Sequence, residues 1–390
     1  MIPRAPEPVG DIHPGGWGGR SSSLADPLAS LRSTSGSLIT LYFDRAGPGG
    51  MAALLTDLLK PLREEAEGQG GRVRKSVRAD ADRIRDLADQ LEGDVAPAYA
   101  IFASDADGVF LLEPLTHTVP NISSLGPRPY LRPLRAAPRP LRVGVIVGDR
   151  VISRVFVGFD GMIEELAVLG ADIGKSNYGG FGGYEERNVR AHADEETTRM
   201  WREAGTRLLE RHLNQPLDYL VVGGHEETIE DIGRTLHPYL ARLQRATFAV
   251  NPQTLTPAAL RSQVADLGTE VRRQRQAVLA EHLCDTARGG GLAVLGLAAT
   301  LQACNAQAVD TLVVAGSFTR PGVICNQCGL LARSGDGCPA CSAPTFAVED
   351  IVAAAMDATV ATGGTVHQIE VASQLDVEGV GAVTRFQVPV

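Results

Sequence analysis

The segment LDYLVVGGHEETIEDIGRTLHPYLARL, Leu217–Leu243, decides the fold class. Its first part is a short apolar run that ends in two glycines, which is typical of a buried β-strand. Its second part places apolar residues at helical spacing among charged ones, which predicts one amphipathic helix. A buried strand followed directly by such a helix is the repeating unit of an α/β layer.

The same alternation continues on both sides of this segment. Upstream, LRVGVIVGD predicts a strand, RVISRVFVGFDGMIEEL predicts paired strands with a turn at FDG, and DEETTRMWREAGTRLLERHL predicts a long helix. Downstream, TFAV predicts a short strand, and TPAALRSQV starts a helix with Thr256 as N-cap and Pro257 at its first position. We therefore predict a middle α/β domain over residues 141–272.

A smaller α+β domain is predicted before it, over residues 37–135. SLITLYF predicts a buried strand, residues 51–66 and 76–93 have helical periodicity, and AYAIFAS and GVFLLEPL form a strand pair across the turn signal DADG. Residues 120–140 are rich in proline and arginine and predict a linker. Residues 1–36 are rich in Pro, Gly and Ser and predict a flexible tail.

A third domain, again α/β, is predicted over residues 273–390. AVDTLVVAGSF predicts a strand, VEDIVAAAMDATVATGG predicts a helix that ends at glycine, and TVHQIEV and AVTRFQV predict two more strands. The whole chain is thus expected to be an α/β protein of three domains.

The third domain also contains four cysteines in the stretch CNQCGLLARSGDGCPAC: Cys325, Cys328, Cys338 and Cys341. Two CxxC pairs nine residues apart predict a small zinc ribbon over 325–341, in which four thiolates leave no open position for water. Disulfides or free thiols are the alternatives, and a reducing compartment favours zinc. Cys284 and Cys304 lie in apolar helical patterns and are expected to be core residues.

Charge and hydropathy limit the possible partners. The 390 residues carry 37 basic and 46 acidic side chains, a net charge of -9, which argues against a nonspecific nucleic-acid binder. No apolar run is long enough to span a bilayer and no secretory signal pattern begins the sequence, so a cytoplasmic protein is expected. Two stretches are nonetheless basic, residues 71–78 and residues 126–142; either could contact phosphate or form a solvated surface. The second contains Arg128, Arg132, Arg135, Arg139 and Arg142.

The stretch NYGGFGGYEERNVRAHADEE, Asn177–Glu196, is the candidate functional loop. It lacks both common phosphate-loop patterns, which disfavours nucleotide binding. It could be a plain surface loop, or a tip that enters a narrow space walled by RNA. In the second interpretation its aromatic rings stack on bases and the arginines behind it meet phosphates. The residues in question are Gly179, Gly180, Phe181, Gly182, Gly183, Tyr184, Arg187 and Arg190, with Lys175 and His192 flanking them.

The order of these parts resembles the archaeo-eukaryotic class-1 peptide release factors, and especially their bacterial relatives. The likeness covers about 37–390 and is carried by PNISSLGPRPYLRPL, YGGFGGYEERNVRAH, GLAVLGLAATLQACNAQAVDTLVVAGSF with the cysteines that follow, and GGTVHQIE. In that family a Gly-Gly-Gln tip on the middle domain reaches the ribosomal peptidyl transferase centre. Its glutamine helps a water molecule to hydrolyse peptidyl-tRNA.

This chain departs from that pattern at the tip. Gly179-Gly180 is followed by Phe181, and Gly182-Gly183 by Tyr184, so neither pair is followed by glutamine. The codon-reading motifs of the family's first domain are also absent. What remains resembles the bacterial members that occupy the ribosomal A site without terminating, the hibernation factors of the Balon type. The Arg- and Ala-rich, Lys-poor composition is compatible with an actinobacterial, mycobacterial-like member.

The resemblance implies a non-enzymatic factor that binds the 70S ribosome through 23S and 16S rRNA. It would block the decoding and peptidyl transferase centres, with elongation factor Tu and GDP as a candidate partner and with neither a membrane nor DNA involved. One alternative is a peptidyl-tRNA hydrolase or rescue factor with an altered tip, for which Tyr184, Glu185 and His192 are candidates. The other is an RNA-binding or tRNA-cleaving module acting away from ribosomes, with His192, Asp194 and Glu195 as the nearest acid–base set.

Overall fold

The computed structural model describes residues 25–44, 49–137, 139–159, 162–172, 183–316 and 318–388, with the side chains of 183–190 excepted. The chain divides into two compact units. The middle unit is Arg139–Val278, and the terminal unit combines Ser21–Pro138 with Leu279–Val390. Both units mix helices with sheets, which confirms the α/β prediction. Within the described ranges, every helix is too short or too polar to cross a bilayer.

The first part of the terminal unit is a four-stranded antiparallel sheet with helices on both faces, in the strand order β3-β2-β1-β4. The two central strands are buried along almost their whole length because α2 and α3 cover one face, while α1 and the segment around α5 cover the other. Its elements are α1 (Ala25–Leu28), β1 (Leu38–Asp44), α2 (Gly50–Glu67), α3 (Gly71–Arg85), α4 (Ala88–Glu92), β2 (Ala98–Ser104), β3 (Val109–Leu115), β4 (Ile122–Gly126) and α5 (Arg132–Arg135).

Three features of this part differ from the sequence prediction. The predicted linker 120–140 contains the edge strand β4 and the helical turn α5. The predicted helix 76–93 is instead two helices: α3 runs from Gly71 to Arg85, and the short helix α4 follows it. Residues 25–36 of the predicted tail pack on the sheet: Ala25 and Leu28 are buried, and Ser33 donates a hydrogen bond to Asp107.

The middle unit is a five-stranded sheet in the order β7-β6-β5-β8-β9, in which β5, β8 and β9 are parallel. Helices α6 and α7 pack on one face and α9 on the other. A Cβ atom on Gly144 of β5 would lie 2.3 Å from Leu208 Cδ2, so the close approach of α6 requires glycine there. The elements are β5 (Arg142–Gly148), β6 (Ile152–Phe159), β7 (Met162–Gly170), α6 (Gly183–Asn214), β8 (Tyr219–Gly224), α7 (Glu226–Thr235), α8 (Pro238–Ala241), β9 (Gln244–Ala249) and α9 (Pro257–Arg288).

The segment that predicted the fold class forms the interior strand β8 and the helices α7 and α8 after it. The predicted single helix is divided between α7 and α8, where Leu236 and His237 are extended. The ring of Pro238 disfavours a helical backbone at His237, the residue before it. The predicted N-cap of α9 is confirmed, since the N–H of Ala259 donates to Thr256 Oγ1 at 3.2 Å. The strands β6 and β7 are confirmed as a pair, while their predicted turn at residues 160–161 lies outside the described residues.

The second part of the terminal unit contains a four-stranded sheet in the order β10-β16-β11-β15 and a small sheet in the order β13-β12-β14. Helix α9 runs 16 residues past the predicted boundary at 272, and the division between units falls inside it, after Val278. The elements are β10 (Ala293–Leu295), α10 (Leu297–Asn305), β11 (Val309–Ala315), β12 (Gly322–Cys325), β13 (Leu331–Ala332), β14 (Thr345–Val348), α11 (Ile351–Ala361), β15 (Thr365–Ile369), α12 (Leu375–Glu378) and β16 (Val380–Thr384).

Two arginines of α5 join the two parts of the terminal unit. Arg132 pairs with Asp350 at 2.8 Å, and each of these side chains is less than a tenth exposed. The same Asp350 oxygen accepts the hydroxyl of Tyr130 at 2.9 Å, and Arg132 also donates to the carbonyl of Gly316. The other Asp350 oxygen accepts the N–H of Val352 and so caps α11. We call this set, together with the pair below, the arginine interlock.

The second pair of the interlock joins Arg135 to Asp357, which lies about two helical turns beyond Asp350 on α11. Arg135 Nε donates to Asp357 at 3.0 Å, and a second nitrogen pairs with Asp26 of α1. Burial raises the pKa of Asp357, an effect that Arg135 opposes. The interlock therefore connects residues near 26, 132 and 355 through two largely buried guanidinium groups, of which Arg132 has a buried carboxylate partner and Arg135 has more exposed ones.

Replacement of Arg132 by alanine should lower the unfolding free energy of the terminal unit by about 3–5 kcal/mol, because it leaves the buried Asp350 carboxylate without its cation. Urea unfolding of the full chain, followed by circular dichroism, measures the change. The control is Arg234→Ala on α7, whose ion pairs are exposed and whose loss should cost less than about 0.5 kcal/mol. A loss below about 1 kcal/mol for Arg132→Ala would contradict the role of the interlock.

A chain of hydroxyls links two carboxylates beneath the first sheet. Asp107 accepts from Ser104, which contacts Ser37, and Ser37 donates to Ser76, which donates to Asp80. Burial raises the pKa of Asp80 to about 6, although the N–H of Asp105 and the Ser76 hydroxyl oppose it. Burial acts in the same direction on Asp107, but donors that include Ser33 and Ser104 lower its pKa to about 2.

Asp80 should make stability depend on pH in mildly acidic solution. The pKa of Asp80 is about 6 in the folded state and ~3.9 in the unfolded state, so between these pH values the carboxyl group is protonated to a greater extent in the folded state. The stabilisation is complete below about pH 4 and is lost as the pH rises through 6, by at most about 3 kcal/mol. Relative to the wild type, Asp80→Asn should therefore gain stability between pH 4 and 7 in urea titrations. The control Asp57→Asn replaces an exposed carboxylate and should not show this gain. The same change in unfolding free energy with pH in both variants would contradict the assignment to Asp80.

Candidate functional site

The four cysteines of the predicted ribbon are brought together by the small sheet β13-β12-β14. Their sulfur atoms lie within 4.8 Å of one another, and neighbouring pairs are 3.5–3.6 Å apart. A disulfide needs a separation of about 2.05 Å, whereas the edges of a ZnS4 tetrahedron with bonds near 2.3 Å measure about 3.8 Å. The donor set therefore fits a tetrahedral metal ion such as zinc.

The two CxxC turns have the same backbone design. In the first, the N–H of Cys325 donates to the carbonyl of Leu330, and the N–H of Gly329 donates back to that of Cys325. In the second, Cys338 pairs in the same way with Ala343, and Ser342 donates to Cys338. The residue that follows the second cysteine of each CxxC pair has a left-handed backbone conformation, with φ of 75° at Gly329 and 58° at Ser342. Two matching turns thus aim two sulfurs each at one point.

Hydrogen bonds prepare one sulfur of the cluster for the thiolate form. The N–H groups of Cys328 and Gln327 each donate to Cys325 Sγ at 3.4 Å. These donors lower the pKa of the Cys325 thiol to about 6. A thiolate is the form that binds a metal ion, so this cysteine is prepared to be a ligand.

The ribbon is attached firmly to the C-terminal part of the terminal unit. Asn305 at the end of α10 exchanges two hydrogen bonds with the backbone of Leu331, at 2.8 and 2.9 Å. Ile324 and Leu331 are buried in the same core as α11. A metal ion held by four thiolates in this position would hold the ribbon rigid and would have no position open to a substrate.

The candidate tip lies outside the described residues over 173–182, which include Lys175 and Gly179 to Gly182. The described backbone brackets it closely: β7 ends at Gly170, and the 32-residue helix α6 begins at Gly183. Tyr184, Arg187 and Arg190 therefore belong to the first two turns of α6.

The arginines assigned to rRNA contact in the first domain have other surroundings. Arg132 and Arg135 belong to the arginine interlock and are largely buried, so their guanidinium groups already have acidic partners. Arg128 is half-buried, with its guanidinium carbon 5.4 Å from the ring of Phe346, and burial lowers its pKa. These partners could not be predicted from the sequence, because the residues around an arginine do not show whether its guanidinium group contacts solvent or a distant carboxylate.

Within the described residues, the acid–base side chains named for the two enzymatic alternatives do not form a catalytic cluster. His192, Asp194 and Glu195 are exposed on α6, and Asp194 forms an ion pair with Arg150 of the adjoining turn. The side chains of Tyr184 and Glu185 lie outside the description. The described part of α6 thus offers a solvated helix face beyond the tip.

No family model matches the chain, and no curated protein does. Solved structures that it resembles include an archaeal translation termination factor, with 15% identity over 93% of this chain and 96% of that chain and a TM-score of 0.24. They also include a ribosome-bound archaeal Pelota described together with ABCE1, with 17% identity, coverage of 75% and 78%, and a TM-score of 0.41.

The Pelota of Archaeoglobus fulgidus is a further such structure, at 16% identity, coverage of 75% and 80%, and a TM-score of 0.35. All of these identities are below 25% and all TM-scores below 0.5. These likenesses therefore carry no argument, and any functional conclusion has to come from the residues of this chain.

The chain should hold one zinc ion, bound by the four ribbon cysteines. Purified protein should contain one zinc per chain by plasma mass spectrometry, and Cys328→Ser should lose most of it, because three thiolates and a hydroxyl bind zinc less well. Cys284→Ala removes a buried cysteine outside the cluster and should keep the metal. Full zinc content in Cys328→Ser, or none in the wild type, would contradict the site.

Proposed function

We propose that this protein binds the ribosome and occupies the A site without hydrolysing peptidyl-tRNA. The single observation that supports this most is the position of the glycine loop between the end of β7 and the start of the long helix α6. A strand and a 32-residue helix on either side can present such a loop as a tip. The absence of glutamine after both Gly-Gly pairs argues that the tip occupies space and does no chemistry.

The chemistry of the tip favours RNA as its target. Four glycines near the tip keep side-chain bulk low where a close approach is needed. Phe181 and Tyr184 can stack on bases, and Arg187 and Arg190 at the start of α6 can meet phosphates. The acidic total charge of the chain means that such contacts have to be local and specific.

The ribbon supports a binding role in the same proposal. A closed four-thiolate site has no coordination position for a substrate, so zinc there would serve to stabilise structure. In the proposal the ribbon stiffens the third domain, which is a candidate surface for a protein partner such as elongation factor Tu with GDP. The finer assignment, a cytoplasmic hibernation factor that blocks decoding and peptidyl transfer together, follows from the resemblance described above.

Reversal of charge at the start of α6 should weaken ribosome binding. Arg187→Glu combined with Arg190→Glu should reduce co-sedimentation with vacant 70S ribosomes by about tenfold or more, and wild-type binding itself should fall as salt rises. The matched control is Arg207→Glu with Arg211→Glu, a pair with similar spacing near the other end of the same helix. Unchanged pelleting of the first variant, or an equal loss in the control, would count against the tip.

A further inference from the structure

A narrow cleft opens where the end of α2 meets the start of α3 in the terminal unit. It has a volume of about 220 Å³, far more than the roughly 10–15 Å³ that one water molecule needs. Three of its six lining residues are arginines and one is acidic. The lining residues are Arg63, Ala66, Glu67, Arg74, Val77 and Arg78.

The cleft has more hydrogen-bond donors than its acidic residues can use. Its three guanidinium groups carry about five N–H donors each. Arg63 pairs with Asp82 at 2.8 Å, while Arg74 and Arg78 share Glu67 at 3.4 and 3.7 Å. Arg63 Nε has no acceptor among the described residues. Because the contacts to Glu67 are long, an anion with several oxygens could replace it at little cost.

The surroundings of the cleft attract negative charge as well. Arg74 and Arg78 are four residues apart and so share one face of α3. On the same helix Arg72 and Lys75 are exposed and form no ion pair within the described residues. No side chain caps the start of α3, where the helix dipole is positive. The other acids near the end of α2, Glu64 and Glu65, are not among the residues that line the cleft.

We propose that this cleft binds a phosphate group of an RNA backbone. Arg74 and Arg78 exchange their contacts with Glu67 for contacts with the phosphate oxygens. Guanidinium groups bind phosphate oxygens in pairs, which a single carboxylate at 3.4–3.7 Å does not satisfy. The flanking cations Arg72 and Lys75 suit a polyanion that extends beyond one phosphate. The inference rests on RNA being the target in the proposed function, and adds a contact in the terminal unit.

The test uses the full chain and a fluorescein-labelled 12-nucleotide RNA, with binding followed by anisotropy over a salt series. Arg74→Gln with Arg78→Gln should weaken binding several-fold and lower the slope of log K against log salt by about 0.7 to 1.4. Glu67→Gln should tighten binding, because it removes the internal competitor. The control Arg85→Gln changes the same helix by one charge outside the cleft and should have a smaller effect than Arg74→Gln alone.

An equal loss of RNA affinity in Arg85→Gln and Arg74→Gln would overturn the proposal, and so would weaker RNA binding by Glu67→Gln. It would also be overturned if inorganic phosphate shifts the melting temperature while Arg74→Gln/Arg78→Gln binds RNA as well as the wild type does. Ribosome pelleting separates this inference from the proposed function. If wild-type protein fails to pellet but the cleft variants change RNA binding as expected, the proposed function fails and the cleft stands.

Discussion

A buried ion pair between Arg132 and Asp350 holds the two parts of the terminal unit together. It joins two parts of the chain that are 218 residues apart, and it makes one compact unit of them. The carboxylate has three tasks at once: it neutralises the guanidinium, accepts the Tyr130 hydroxyl and caps α11. Each polar group is thereby satisfied, which is the condition under which a charge can be buried.

This constraint also explains why the chain can contain the middle unit as an insertion. In the chain, residues 139–278 lie between the two parts of the terminal unit, and the arginine interlock holds these two parts together. Each unit keeps its own core around its own sheet.

Much of this was accessible from the sequence, and the failures have physical causes. The alternation of buried strands and amphipathic helices gave the sheets, and the cysteine spacing gave the S4 cluster, because both patterns depend on local geometry. The interlock was missed because a charge pattern does not reveal a partner two hundred residues away. The strand β4 was missed for a related reason: its ISSLG sequence is not strongly apolar, and its pairing with β1 is what makes it a strand.

The proposed function combines a closed metal site with a tip that lacks the catalytic amide. Its central claim is that the protein fills a site on the ribosome and leaves the peptidyl-tRNA ester intact. The most direct measurement incubates the purified protein with 70S ribosomes that carry labelled peptidyl-tRNA, and scores both pelleting and released peptide. The account predicts salt-sensitive binding with no release above background; release of peptide, or the absence of binding at low salt, would contradict it.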